Sequence, residues 1–254
     1  MLDTGYLYAK DNNRIFINTC LGCNGGCSYC YLPKMGYSNE IKNFKVKTAV
    51  EILNDISSSG YILNKDTLVT LGCFTECFND YNKPYTIELV KYFLNMGNQV
   101  QLSTKKEITL EEGKLFTDVI KYFGQLVIFV SSSTIRKWEK IEKNTTKPYD
   151  RFKTFQLFLE LNIPIVLYMK PVLQGITIND IDLYKNLINK YHIQDVVIGS
   201  IFSEQYSDET VHFSNKNQLF YNSVPDEVII ENALKDICNV YKKNSQVMRK
   251  YKAR

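Results

Sequence analysis

Along the chain, short apolar runs rich in β-branched residues alternate with longer stretches whose apolar residues recur every three or four positions. Arg14-Ile15-Phe16-Ile17-Asn18-Thr19 reads as a first strand. Ala49, Val50, Leu53 and Ile56 follow at helical spacing, and Ser57-Ser58-Ser59-Gly60 ends that helix. Positions 67–72 have the uninterrupted apolar character of a strand buried on both faces. A helix over 87–96 meets Gly97, a residue suited to the left-handed backbone of a C-cap. The alternation continues with a strand at 100–104, a helix at 110–122, a strand at 125–131 and a helix at 149–161 closed by Asn162. It then gives a strand at 165–169 ended by Lys170-Pro171, a helix at 180–191 and a sixth strand at 195–201. Residues 227–241 read as a C-terminal helix.

Buried strands alternating with helices imply a parallel sheet with the helices outside it. Six such units predict an α/β fold, a partial and open (β/α)6 barrel of the TIM type. No linker, composition shift or repeat interrupts the pattern. The expectation is therefore one domain over 1–254, with a core at about 14–202 and a C-terminal extension at about 203–254. Residues 1–13 are expected to cover one end of the barrel. Active sites of such barrels lie at the C-terminal ends of the strands, so chemistry is to be sought just after each strand.

Composition narrows this picture. The 254 residues, 44% hydrophobic and 23% charged, suffice for one such core. A net charge of +4 permits an acidic partner without requiring one. No run of about 18 apolar residues exists to span a membrane. Met1-Leu2-Asp3-Thr4-Gly5 does not open a secretory leader, so a reducing cytoplasm is expected. Two histidines argue against histidine-based metal or triad chemistry, and seven cysteines leave one over in any disulfide framework.

The first strand runs directly into Cys20 and then Cys23-Asn24-Gly25-Gly26-Cys27-Ser28-Tyr29-Cys30. Gly22, Gly25 and Gly26 make this a tight loop able to wrap a small object. Thiolates suit iron–sulfur clusters or zinc. The C-x3-C-x2-C triad is one ligand short of a closed site, and an open position is what catalytic metal sites keep. The residues alone leave a second reading open. Cys20, Cys23, Cys27 and Cys30 could form a zinc knot in a zinc- or cluster-bearing nucleic-acid-binding module. The tail carries Lys242, Lys243, Arg249, Lys250, Lys252 and Arg254 with no acid among them. Such a tail either touches a phosphate backbone or is a solvated, partly frayed helix end.

The cysteine spacing, with an aromatic before the last cysteine and Tyr31-Leu32 after it, resembles the radical S-adenosylmethionine (SAM) superfamily. The resemblance implies that Cys23, Cys27 and Cys30 hold a 4Fe–4S cluster whose fourth iron binds SAM, with Tyr29 near the adenine. It implies reductive cleavage of SAM to a 5′-deoxyadenosyl radical that abstracts a hydrogen atom from a substrate, and a one-electron donor such as flavodoxin or ferredoxin. The substrate class stays open among a nucleobase, a peptide and a small metabolite.

Matches after several strands resemble the spore photoproduct lyase branch in particular. After strand two, Gly72-Cys73-Phe74-Thr75-Glu76 resembles that branch's pattern, with Glu76 where it has Asp. Glu76 would accept from the SAM amino group. After strand three, Ser103-Thr104-Lys105-Lys106 resembles Thr-Lys-Ser, whose lysine reaches the SAM carboxylate, a role that falls to Lys105. Hydroxyls of Ser131 and Ser133 could meet the SAM ribose or methionine end, or cap the next turn. Glu142 and Arg151 match an Ile-Glu and a later arginine, which either bind SAM or pair with each other. Gln174 replaces the second proline of a Pro-Ile-Ile-Pro-Gly turn. Cys73 falls where the branch has a hydrogen-atom-donating cysteine. It could also be a small core residue, or join Cys77, and perhaps Cys238 and Cys20, in an auxiliary cluster.

Overall fold

The computed structural model describes residues 1–207, 210–213 and 217–252. Its main sheet has nine strands: β1 (Leu2–Asp3), β2 (Leu7–Ala9), β3 (Arg14–Ile17), β4 (Leu68–Leu71), β5 (Val100–Thr104), β6 (Leu126–Ser131), β7 (Ile165–Met169), β8 (Asp195–Ile198) and β9 (Asn239–Tyr241). Their order in space is their order in the chain. From β3 to β9 every pairing is parallel. The crossovers carry α1 (Ala49–Ser58), α2 (Lys83–Met96), α3 (Leu110–Thr117), α4 (Lys153–Glu160), α5 (Ile181–Lys190) and α6 (Pro225–Leu234). A last helix, α7 (Asn244–Lys252), follows β9.

The expected alternation is present, with four physical differences. Residues 1–13 add strands β1 and β2 antiparallel to β3, rather than only covering an end. α1 buries Ala49, Ile52 and Ile56, with Leu53 packed against the same core, so of the expected positions only Val50 turns outward. α3 stops at Thr117, well short of 122. The Thr117 hydroxyl donates to the Lys114 carbonyl at 2.8 Å, which offers the backbone an alternative to helix. The sixth strand ends at Ile198. Residues Ile201–Ser203 instead join a separate antiparallel sheet with Thr210–Phe213 and Asn217–Asn222.

The expected C-terminal helix at 227–241 is likewise divided. α6 ends at Leu234, and Asn239–Tyr241 forms a seventh parallel strand whose backbone pairs with β8. α7 then brings Val247, Met248 and Tyr251 onto Val127, Phe129, Val166 and Val197, the strand residues that face away from the outer helices. The basic tail is thus a docked helix. Lys242 pairs with Glu231 at 2.9 Å, and Lys252 reaches Asp66 at 3.6 Å. Lys250 and the Tyr251 hydroxyl both donate to the buried Asp195, at 2.6 and 2.5 Å. Arg254 lies outside the described residues. No described helix is long and apolar enough to cross a membrane.

Alternate residues of each strand serve different layers. Ile15, Ile17, Val69, Leu71, Val100, Leu102, Ile128 and Val130 belong to the large core under the outer helices. The opposite face lines the barrel interior, and its lower part is covered by α7. Truncating a buried aromatic costs about 3–5 kcal/mol. Tyr251→Ala is accordingly expected to lower the urea midpoint by that equivalent at unchanged slope. An unchanged midpoint would mean that α7 is not part of the cooperative fold.

Candidate active site

The cysteine loop is held from two sides. Cys20–Leu21 pairs antiparallel with Lys45–Val46 on one side. On the other, Ser28 N–H donates to the Ile141 carbonyl at 2.9 Å and Asn144 N–H to the Gly25 carbonyl at 3.1 Å. Gly22 and Gly26 take the positive φ expected of them, at 118° and 62°; Gly25 does not. Cys23, Cys27 and Cys30 all line one cavity of about 500 Å³ at the C-terminal end of the sheet. Cys20 does not. It is fully buried, and its thiol donates to the Gly22 carbonyl at 3.9 Å.

Glu76 bridges the ends of β4 and β5. It accepts from the Thr104 hydroxyl at 2.5 Å, from Lys105 N–H at 2.7 Å and from Phe78 N–H at 3.1 Å. The loop that carries it leaves the strand at Gly72. A side chain there would meet the Ser103 carbonyl at 2.4 Å, on a backbone at φ 92°. The Lys105 ammonium donates to the Ser131 hydroxyl at 2.9 Å and lies 5.8 Å from the Tyr29 ring centre. Cys73, Tyr29, Glu76, Lys105 and Ser131 all line the cavity with the three cysteines.

Ser133, Glu142 and Arg151 sit behind the wall, all fully buried. Glu142 and Arg151, expected either to bind SAM or to pair with each other, are paired at 3.0 Å. Glu142 also accepts from the Tyr29 hydroxyl at 2.5 Å and from Ser133 N–H at 3.2 Å. Ser133 spends its own hydroxyl on Tyr29 at 3.1 Å. Arg151 donates to the Ser131 carbonyl, the Thr145 hydroxyl and the Thr146 carbonyl. Burial alone would raise the Glu142 pKa, but Arg151, Lys105 and the Tyr29 hydrogen bond outweigh it and hold it below its ordinary value. The pair fixes the Tyr29 ring from its hydroxyl end and the end of β6 from its carbonyl.

The remaining cysteines diverge. Cys73 faces the cavity, where burial pushes its thiol up to about 11 against the nearby Arg14 charge. Cys77 is buried in the outer core and donates to the Ser103 carbonyl at 3.3 Å. Cys238 packs beside α6 and donates to the Leu234 carbonyl at 3.5 Å. Their side chains enter different parts of the fold, which does not suit a shared auxiliary cluster.

Sequence reading missed the far end of the cavity. There Arg14, Gln101, Tyr168, Lys170, Phe202 and Tyr221 form the wall. The legible signal was an arginine and a glutamine at interior-facing positions of strands that otherwise read as apolar. Phe202 and Tyr221 come from the small antiparallel sheet, which had no signal of its own.

No family model and no curated protein sequence matches the chain significantly. Comparison with solved structures does find likeness. A spore photoproduct lyase mutant superposes with a TM-score of 0.64 at 11% identity, covering 89% of this chain and 76% of that one. SuiB from Streptococcus suis, bound to S-adenosylmethionine, gives 0.58 at 12% identity over 92% of this chain and 50% of that one. TsrM from Kitasatospora setae, a radical S-adenosylmethionine methyltransferase with cobalamin and a [4Fe-4S] cluster bound, gives 0.51 at 13% identity. That match covers 74% of this chain and 34% of TsrM. The fold is that of the radical SAM enzymes. Within this radical SAM fold the cysteine loop follows the first parallel strand, β3, and the cavity opens at the C-terminal strand ends.

The donor set fits a cluster better than a single ion. Three thiols line one wall while Cys20 is turned away, so the four-cysteine knot lacks its fourth member. Among the described residues no three His, Cys, Asp or Glu side chains converge closely enough to hold one metal ion. A cluster gives each thiolate its own iron and so suits ligands spread around a cavity end.

Breaking a buried ion pair from one side costs about 3–5 kcal/mol. Arg151→Met is expected to lose that stability at pH 7. The depressed Glu142 pKa stabilises the fold above the unfolded carboxylate pKa, and this contribution fades as pH falls through the folded value. The deficit of the variant should therefore shrink in acid, as the orphaned carboxyl takes a proton. Chemical denaturation of both proteins at neutral and acid pH measures it. A deficit that is constant or grows in acid would mean that the pair is not what Arg151 contributes.

Proposed function

We propose that the chain is a radical SAM enzyme, with Cys23, Cys27 and Cys30 as the ligands of a 4Fe–4S cluster. The observation that carries this reading is their shared opening onto the cavity that also receives Glu76, Lys105, Tyr29 and Ser131, while Cys20 stays in the core. When bound, the cluster would supply an electron for reductive cleavage of SAM, whose 5′-deoxyadenosyl radical takes a hydrogen atom from substrate. Of the structures that share this fold, SuiB is bound to S-adenosylmethionine and TsrM, a radical S-adenosylmethionine methyltransferase, holds a [4Fe-4S] cluster.

The residues of this chain divide the work of binding. Lys105 is a cation beside the cysteines and would receive the SAM carboxylate. Among the described residues Glu76 has three donors for its roughly four acceptor positions, and it would take the SAM ammonium. Tyr29 presents its ring to the adenine, held in orientation by Glu142 and Ser133. Ser131 presents a hydroxyl already engaged by Lys105. Cys73 faces the same space as a thiol, the form that carries a transferable hydrogen atom. The partner is a one-electron donor of the flavodoxin or ferredoxin kind. A reducing, cytoplasmic setting agrees with seven unpaired cysteines.

Nucleic-acid binding without SAM chemistry is less well supported, since three lysines of the basic tail are paired to acids of the same chain.

Anaerobic reconstitution followed by reduction tests the proposal. The wild type and Cys20→Ala are expected to hold equal iron and to convert SAM to 5′-deoxyadenosine, while Cys27→Ala loses both. Loss of one charge-assisted contact of about 1.5–3 kcal/mol should weaken SAM binding in Lys105→Ala roughly tenfold to a hundredfold. Iron lost in Cys20→Ala, or a reducible cluster that never yields 5′-deoxyadenosine, would contradict it.

A further inference from the structure

The cavity has a second cationic pole that the cofactor reading leaves unused. Arg14 opens β3, and its register partner is Leu68, the first residue of β4. Val69 is level with Val100 on the next strand, so Lys105 stands about six positions further toward the C-terminal end. At about 3.3 Å per position this is roughly 20 Å of strand length. The Arg14 side chain reaches two positions up this length, to Thr70 and Gln101, so the two cations stand at different levels of one cavity.

The surroundings of Arg14 do not balance its charge. Its Nε donates to the Thr70 hydroxyl at 2.9 Å and its Nη2 to the Gln101 amide oxygen at 2.9 Å. Its guanidinium carbon lies 4.4 Å from the centre of the Phe16 ring. These are neutral partners, and among the described residues no carboxylate pairs with it. A guanidinium has five N–H donors, and two are accounted for. Elsewhere in this protein two buried charges have opposite ones: Arg151 has Glu142 and Asp195 has Lys250. Burial disfavours the Arg14 charge, and the nearby Cys73, Tyr168 and Tyr221 offset this only in part. The wall beside it adds Lys170, whose ammonium lies 4.2 Å from the Tyr221 ring centre, together with Tyr168. A partly buried cation held by neutral hydrogen bonds at a cavity wall is an incomplete ion pair.

We propose that this pole binds an oxyanion of the substrate, a carboxylate or phosphate, on the Arg14 guanidinium. The substrate is then a small anionic molecule. Its charged end sits at the Arg14 level of the barrel, and its body runs past Tyr168, Tyr221 and Cys73 toward the cysteine end. Gln101 and Thr70 are positioning residues that fix the guanidinium. The inference rests on the reading of this cavity as a SAM and substrate site.

The test is calorimetric titration of the reconstituted protein, with SAM present, using inorganic phosphate, pyrophosphate and glutarate. At least one is expected to bind saturably in the millimolar range or tighter, and which one does so distinguishes phosphate from carboxylate. Arg14→Met should weaken that binding roughly tenfold to a hundredfold. Its iron content and SAM affinity should stay at wild-type values. Should Arg14→Met fail to fold, Arg14→Lys keeps the charge without the planar fork and is expected to bind several-fold more weakly than wild type. Absence of binding by all three anions to the wild type overturns the proposal, as does equal affinity in the variant that folds. SAM cleavage without anion binding defeats this inference alone. Anion binding without SAM binding defeats the reading of the cofactor site instead.

Discussion

The buried Glu142–Arg151 pair ties the site together. Neither charge could be buried alone, and the two at 3.0 Å are further satisfied by hydrogen bonds from and to five other residues. One end of this network reaches Tyr29 and so the cysteine loop. Another reaches the Ser131 carbonyl at the end of β6. A third passes through Thr146, whose N–H donates to the Lys105 carbonyl. Loop, strand end and lysine are thereby fixed to one another across more than a hundred residues of sequence. A rigid frame of this kind lets the cavity wall present its donors without each ligand having to order them.

That frame depends on the parallel sheet. Parallel strands deliver all their C-terminal ends to one edge, so loops distant in sequence converge there. Gly72 allows the second of these loops to leave against the Ser103 carbonyl, and Glu76 then stitches it to the backbone of the third strand end. The cysteine loop, Glu76, Lys105 and Ser131 are the first, second, third and fourth such ends from β3 onward. Two cationic groups line the cavity, Lys105 beside the cysteines and Arg14 at a lower level of the barrel.

Much of this was legible in the sequence, for physical reasons. Buried strands leave unmistakable apolar runs, and strand 100–104 and strand 165–169 emerge with the bounds expected of them. The cysteine spacing and the residues following each strand could be placed because a strand end is a definite position in such a fold. What escaped had short or mixed signals. Asn239–Tyr241 is three residues of backbone pairing with no period of its own, and it was absorbed into a helix. Val50 fits a helical stripe by spacing but faces water, because spacing alone does not choose between adjacent faces. Glu142 and Arg151 could be named but not assigned, since ligand contact and mutual pairing look alike until geometry separates them. Arg14 was hidden because one polar residue at the mouth of an apolar strand reads as an edge.

The central claim is that the three cysteines leave one iron of a cluster open to SAM in the space shared with Lys105 and Glu76. Electron paramagnetic resonance of the reduced, reconstituted protein tests this most directly, using SAM labelled in its carboxylate and amino groups. SAM bound as claimed changes the signal of the reduced cluster and shows hyperfine coupling to the labels, and the coupling is weakened or lost in Lys105→Ala. A signal that SAM leaves unchanged, with no coupling to either label, would contradict it.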